Sequence, residues 1–246
     1  MRLLVDTRNG LAGDIMAAGL IGLGAGPGGI TGAMETAGNT MGKTNVKHLW
    51  DKGVHRLSVD FRMPGHLHAS EARTNLDQAL RDAGITEPWK EMAKKVLGVM
   101  TEAEGHVHSH HPALKRHYHG PEPVLHEASD ILIDIVGMSA GMMALGITEI
   151  EYLDYVNVGG GEVKFSHGTL EVPTPATKYI LETKGIIWKR SETGMEMTTP
   201  TGASILAGCG AKRTMAEPEG CRPTLAGGTR PLPPISFYLC NPSIVY

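Results

Sequence analysis

Short apolar runs that suit β-strands alternate with longer runs of helical periodicity, and this order is the strongest constraint on the fold. Residues 2–5 and 149–158 are typical of buried strands, whereas residues 56–63 alternate and predict a strand with one buried face. Apolar residues at helical spacing predict helices over residues 12–23 and 128–145. The alternation predicts an α/β fold with a mixed sheet and helices packed on it.

Composition agrees with this fold class and limits the number of domains. The chain has 246 residues, with only 5% aromatic residues and as many as 32 glycines, which suits an α/β core of small aliphatic side chains joined by tight turns. We expect a single domain over residues 1–246. The alternative is two subdomains, residues 1–104 and 121–246, joined by a long histidine-rich loop at residues 105–120.

Charge and hydropathy exclude several functional classes. The formal net charge is -3, so no basic field exists to attract nucleic acid. No apolar run approaches the roughly 20 residues that cross a bilayer, and the start of the chain lacks the pattern of a secretion signal. We therefore expect a cytoplasmic protein without membrane partners. Cys209, Cys221 and Cys240 are irregularly spaced, which predicts reduced thiols.

The densest chemical feature is a histidine-rich segment. Six of the twelve histidines fall within it: His106, His108, His110, His111, His117 and His119. Neutral imidazole is a ligand for nickel, zinc, copper and iron, and its affinity for metals falls below pH about 6. The segment is polar and lacks periodicity, so it predicts a metal-binding loop. The sequence does not identify which of these metals binds. The alternative is a solvated polar loop without a ligand.

A second histidine pair follows the strand at residues 56–63. His66 and His68 are separated by one residue and come after Pro64-Gly65. On an extended, bent chain the two rings can chelate one ion. Two exposed loop histidines are an equally good interpretation.

Acidic residues mark two further places. Asp6 and Asp14 flank a glycine-rich turn between a strand and a helix, a position that suits an anion or a metal. Glu127, Asp130 and Asp134 share one face of the helix that follows His126. Carboxylates in an apolar helix are costly unless they are paired or bind a metal. Helix capping by Asp130 is the alternative.

Threonine-rich segments open two helices near the end of the chain. They are Pro173-Thr174-Pro175-Ala176-Thr177 and Thr198-Thr199-Pro200-Thr201-Gly202. Hydroxyl and N–H groups at a helix start can bind phosphate, and ordinary helix capping explains the same residues.

Together these motifs resemble the LarC family, the nickel-insertion proteins for the nickel-pincer nucleotide cofactor of lactate racemase. The segment 5–16 is similar to the family's LDAFSGISGDM start, and His126-Glu127 followed by residues 134–137 is similar to its HEVGAVDSIVDIVG segment. Residues 158–177 and 198–203 follow the family pattern GGxVxxxHG, VPxPAT and TPTGA in order. Gly227-Gly228-Thr229 is similar to a late GAGT, and the histidine-rich segment lies where the family has one.

The resemblance implies a nickel-inserting lyase (a nickel chelatase or cyclometallase). Its substrate would be the nucleotide-like pyridinium-3,5-bisthiocarboxylate mononucleotide, in which nickel forms two bonds to sulfur and one to carbon. It implies that His108, His110 and His111 load nickel. It also implies that Asp6, Asp14, His126 and Glu127 form the reaction centre, and that His167, Thr199, Thr201 and Gly202 contact the substrate.

The family's members also carry a C-terminal domain for CTP binding and assembly. Since this chain ends at Tyr246, we expect CTP, with Mg or Mn, to act through a separate CTP-binding subunit of that C-terminal type, and we expect a homo-oligomer. One alternative is a nickel-binding or storage module without catalysis. The other is a magnesium-dependent nucleotide or phosphate-ester enzyme that uses Asp6, Asp14 and Glu127.

Overall fold

The structure, a computed structural model of the chain, describes residues 1–62, 67–110, 122–125, 130–165 and 168–240. The helices are α1 (Gly13–Gly22), α2 (Pro27–Asn39), α3 (Ala69–Asp82), α4 (Trp89–His110), α5 (Ile131–Leu145), α6 (Pro175–Thr183) and α7 (Pro200–Gly208). The strands are β1 (Arg2–Val5), β2 (Lys43–Asp51), β3 (Val54–Arg62), β4 (Leu67–His68), β5 (Val124–Leu125), β6 (Glu149–Leu153), β7 (Val156–Gly159), β8 (Glu162–Phe165), β9 (Gly168–Glu171), β10 (Trp188–Arg190), β11 (Lys212–Thr214), β12 (Arg222–Ala226) and β13 (Ile235–Cys240).

The main sheet is mixed, as the sequence predicts. Its seven strands follow the order β11-β6-β1-β13-β12-β3-β2. β6 runs parallel to both β11 and β1, β12 runs parallel to β3, and the remaining neighbours are antiparallel. The sheet thus joins strands from both sides of the histidine-rich segment.

Helix α1 lies between the sheet and helix α5. It contacts β3, β12 and β13 on one side and α5 on the other, and α5 also packs against α2 and α4. Burial on both sides requires apolar residues around the whole helix, and α1 and α5 meet this requirement with buried residues such as Met16, Leu20, Ile131 and Ile135. The N-termini of α1 and α5 therefore reach the same region of the interior.

The prediction of a loop from residue 105 is wrong for residues 105–110, which continue helix α4 to His110. Buried Leu97, Met100, Ala103 and Val107 recur at three- and four-residue intervals. This apolar stripe holds the helix against the core, and the intervening histidines conceal it in the sequence. Residues 111–120, the rest of the predicted loop, lie outside the described residues.

The single strand predicted for residues 149–158 is also wrong. The chain breaks at Asp154, whose φ of 58° lies in the left-handed region. β6 before the break belongs to the main sheet, while β7 after it pairs with β10.

The expectation of three reduced thiols is wrong for two of them. Cys221 and Cys240 form a disulfide with a Cα–Cα distance of 4.5 Å. The pairing of Arg222 with Leu239 in β12 and β13 brings the two cysteines opposite each other. Cys209 is a free thiol, and burial raises its pKa to about 12. Among the described residues, no helix combines the length and apolarity needed to cross a membrane.

Candidate functional site

The site begins where the chain leaves β1. The Leu11 N–H donates to the Met197 carbonyl at 3.1 Å, and the Thr199 N–H donates to the Leu11 carbonyl at 3.1 Å. Gly202 lies so close to Leu11 that a Cβ atom at position 202 would overlap the Leu11 backbone. These contacts join the start of α1 to the start of α7, so Asp14, Thr199 and Thr201 line one cavity.

This cavity has a volume of about 450 Å³ and is lined mainly by polar groups. Its acidic residues are Glu104, Asp130, Asp134 and Glu196 in addition to Asp14. Its basic residues are Lys164 and Arg230, and its hydroxyl groups come from Thr199, Thr201 and Thr229. A cavity with a surplus of carboxylates and two cations suits a ligand pair that contains both a metal cation and an anion.

Three carboxylates at the starts of α1 and α5 have raised pKa values. Asp14 lies in the first turn of α1, Asp130 is the N-cap residue of α5, and Asp134 lies in the first turn of α5. Burial raises the pKa of Asp14 to about 6, the charge of Asp130 contributes to the rise, and Arg230 opposes it. Burial raises the pKa of Asp130 as well.

Asp134 is the most deeply placed of the three, with 7% of its surface exposed. Its pKa lies well above the usual range, first because of burial and then because of the charges of Asp130 and Asp14. Asp14 is half-buried and Asp130 is exposed to solvent, so the effect of burial on the pKa is weaker at Asp130 than at Asp134. A bound cation would relieve the repulsion among all three carboxylates.

Glu196 is a buried acidic residue that the sequence analysis missed. Burial raises its pKa to about 7, against the opposing effects of Arg230 and a hydrogen bond with Thr174. Its sequence signal is weak: one carboxylate between Met195 and Met197, just before the threonine-rich segment. Glu104, Lys164, Thr229 and Arg230 were also missed as site residues.

Asp6 does not join Asp14. It accepts hydrogen bonds from the Arg8 guanidinium at 2.8 and 2.7 Å, and it is not among the residues that line the cavity. This paired geometry satisfies both oxygens of the carboxylate, so Asp6 orders the turn before α1.

The described histidines of the histidine-rich segment point in two directions. The His106 ring stacks between those of His110 and Tyr179, with centroid distances of 4.3 and 4.2 Å. His108 is buried on another face, and its Nε2 lies 3.4 Å from Oε2 of cavity-lining Glu104. Residues two apart on a helix face different sides, so the His108 ring does not share an ion with the rings of His106 and His110.

His68 ends β4, where its N–H donates to Glu71 at 3.2 Å, outside the cavity. The other sequence-predicted site residues lie outside the described residues: His66, His111, His117, His119, His126, Glu127 and His167. Within the described part of the chain, no group of three or more His, Cys, Asp or Glu side chains is arranged to hold a metal ion. The Asp14, Asp130 and Asp134 carboxylates therefore do not make a metal site by themselves, and other ligands would have to complete the coordination.

Comparison with known proteins adds an independent line of evidence. The family model described as nickel insertion protein matches residues 3–229. The pyridinium-3,5-bisthiocarboxylic acid mononucleotide nickel insertion protein of Staphylococcus epidermidis (strain ATCC 12228) is 29% identical over 211 residues, which cover 84% of this chain and 50% of that protein.

The protein of the same name from Thermotoga sp. (strain RQ2) is 32% identical over 220 residues, which cover 84% of this chain and 52% of that protein. The chain thus spans about half the length of the curated relatives it matches. No solved structure matches it.

Proposed function

This chain belongs to the nickel insertion protein family, and we propose that it inserts nickel into pyridinium-3,5-bisthiocarboxylic acid mononucleotide, the compound in its relatives' names. One observation carries the proposal: a single cavity holds three mutually repelling carboxylates together with Arg230 and Lys164. The reaction needs both kinds of group, because one substrate is a divalent cation and the other carries a phosphate.

The carboxylates of Asp14, Asp130 and Asp134 receive the nickel ion in this proposal. Their raised pKa values mean that a cation binds by displacing protons and relieving repulsion. Oxygen ligands in an incomplete set hold nickel less firmly than thiolate-type sulfur does. The ion therefore passes from the carboxylates to the two thiocarboxylate sulfurs of the substrate.

The mononucleotide phosphate binds Arg230 and Lys164. A guanidinium binds phosphate through two parallel hydrogen bonds, and an ammonium contributes a point charge. The hydroxyl groups of Thr201 and Thr229 line the same cavity and supply further donors. Thr199 already caps α7, since its Oγ1 accepts from the Gly202 N–H at 3.2 Å, so its main role is to hold the start of this helix.

Nickel reaches the cavity from the histidine-rich segment. His108 is the described histidine beside a cavity-lining carboxylate, Glu104. In this proposal the ion passes from imidazole to Glu104, which lines the same cavity as the aspartates. His106 and His110 load nickel with the rest of the segment, on the outer face of the helix.

CTP, with Mg or Mn, acts in this proposal through a CTP-binding unit of the C-terminal type, in a homo-oligomeric assembly.

Two other functions make different predictions. A storage module binds nickel through the histidine-rich segment and forms no product with any substrate. A magnesium-dependent phosphate-ester enzyme keeps its activity when the exposed histidines of this segment, such as His106 and His110, are replaced. The position of Asp6, bound to Arg8 away from the cavity, weakens the magnesium alternative, which needs Asp6 and Asp14 together.

The test is incubation of the chain with nickel and the mononucleotide, with and without CTP, Mg or Mn and a C-terminal-type CTP-binding unit. Mass spectrometry of the small-molecule fraction measures nickel in the product. We expect the nickel complex in the complete mixture. Nickel bound to the protein with no product in any mixture would replace this proposal with the storage function.

A further inference from the structure

Glu196 combines deep burial with an oxygen that lacks a partner. Only 6% of its surface is exposed, and it lines the cavity. Among the described residues, its buried Oε1 has no hydrogen-bond partner, while the nearby Thr174 hydroxyl lowers the pKa of the carboxylate. Burying a carboxylate oxygen without a partner costs free energy, so a structural role alone does not account for this arrangement.

The surrounding backbone holds Glu196 firmly. Glu196 forms an isolated bridge with Gly159, and the next residue, Met197, is hydrogen-bonded to both Val158 and Leu11. Thr174 in turn lies 3.0 Å from the Thr177 hydroxyl. The carboxylate is thus positioned by two segments at the wall of the cavity, and its unpaired Oε1 is itself buried.

Glu196 is also separate from the aspartate cluster. The charge of Asp130 raises the pKa of both Asp14 and Asp134, whereas Glu196 is not among the causes of the shifts in these aspartates. Under the proposed function the aspartates face the nickel ion, which withdraws their electron density and removes their basicity. Glu104 lies beside His108 on the delivery side. Glu196 is therefore the described carboxylate that remains for proton transfer.

We propose, resting on the nickel-insertion function above, that Glu196 is the catalytic base that removes the proton from the pyridinium ring carbon where the nickel–carbon bond forms. The C–H bond breaks and its electron pair forms the bond to nickel. The proton passes to the carboxylate of Glu196, which lines the cavity. The metal and the ring keep their oxidation states, so the step requires no oxidant or reductant.

The electrostatics of Glu196 suit this role. Burial raises its pKa to about 7, and a general base is most effective when its pKa lies near the working pH. The charged groups that share the cavity are Asp14, Asp130, Asp134, Glu104, Lys164 and Arg230. Arg230 opposes the effect of burial, so part of the carboxylate is ionised at neutral pH.

The test compares Glu196→Gln with Glu192→Gln, an exposed residue of the same segment, in the full chain with its CTP-binding unit. The rate of nickel insertion should fall about 100- to 10,000-fold in Glu196→Gln, with KM for the mononucleotide and nickel binding unchanged. Glu192→Gln should keep the rate. Glu196→Asp should insert nickel faster than Glu196→Gln, because it keeps a carboxylate. A thermal melt checks that each variant is folded.

Two signatures separate a base from a merely structural residue. The wild-type rate should rise with pH around about 7, and substrate deuterated at the ring carbon should react more slowly. Glu196→Gln should lose the rise. If Glu196→Gln inserts nickel at the wild-type rate, or if it loses nickel binding along with the rate, the assignment to Glu196 is overturned while the proposed function stands. If the wild-type chain forms no nickel complex, both are overturned.

Discussion

The carboxylate of Asp134 occupies the space that a Cβ atom on Gly13 would need. This contact brings the first turns of α1 and α5 together and sets Asp14, the next residue, beside the aspartates of α5. The absence of a side chain at Gly13 is thus a requirement of the acidic cluster.

Substitution Gly13→Ala should therefore displace Asp134. We expect a loss of about 1–3 kcal/mol in the free energy of unfolding, from overpacking, and slower nickel insertion. Urea denaturation and the insertion assay measure the two effects. Gly32→Ala is the matched control, since it lies in helix α2 with open space around its Cβ position, and it should stabilise the protein by about 0.5–1 kcal/mol. Equal effects of the two substitutions would contradict the role of the contact.

Substitution Asp134→Asn should stabilise the metal-free protein and weaken its function. The amide keeps the shape of the side chain and removes a buried charge that two neighbouring aspartates repel. We expect unfolding at higher urea concentration at pH 8 and nickel insertion reduced on the order of tenfold or more. Asp60→Asn, at an exposed residue, should change neither. A less stable Asp134→Asn variant would show that favourable contacts of the carboxylate outweigh this repulsion.

The metal-free protein should lose stability as pH rises from about 4.5 to about 7. The pKa of Glu196 is higher in the folded protein than its ordinary value of 4.5, so the folded state holds the proton through this window and the unfolded state does not. One pKa unit corresponds to about 1.4 kcal/mol, which gives a loss of roughly 3 kcal/mol at most from this residue.

Urea titrations at a series of pH values measure this effect, with Glu196→Gln as the comparison. The variant should gain stability relative to the wild type as pH rises through the window, and the gain should level off above pH about 7. A difference that stays constant with pH would refute the assignment of the raised pKa to Glu196.

Substitution His108→Ala should impair the delivery of nickel and leave its insertion intact. The nickel concentration for half-maximal rate should rise, while kcat at saturating nickel stays near the wild-type value, because the ring lies beside Glu104, which the proposal places on the delivery side of the cavity. A nickel titration of the insertion rate measures both constants. His48→Gln, at the paired histidines of β2 and β3, is the control. A fall in kcat at saturating nickel would move His108 into the reaction centre.

The disulfide should stabilise the oxidised protein. A cross-link over 19 residues restricts the unfolded chain, which corresponds to about 3 kcal/mol. We expect Cys221→Ser to lower the free energy of unfolding by about this amount under oxidising conditions and to have little effect in the presence of a reductant. Thiol titration of the unfolded, unreduced protein should find one thiol, that of Cys209. Three thiols would restore the expectation of a reduced, cytoplasmic chain.

Local patterns predicted many of the elements. The buried strand at residues 2–5 and the long helix before Leu145 are present, because their apolar periodicity matches the faces they bury. Predictions failed where the decisive contact is distant in the chain. Histidines interrupt the apolar pattern of the stripe that extends α4 to His110, so the pattern is hard to recognise in the sequence. The break at Asp154 depends on the strands with which β6 and β7 pair, and these belong to different sheets.

The sequence by itself determined the fold class, the order of the motifs and the family, since each of these depends on residue types at short and regular spacing. Only the tertiary structure decided which charges meet. It brings Asp14 to Asp130 and Asp134, and it places Glu196 at the wall of the cavity. The physical reason is that the positions of these charged side chains depend on the packing of α1 against α5 and on the pairing of Leu11 with Thr198. Both contacts join distant segments, and no local pattern specifies them.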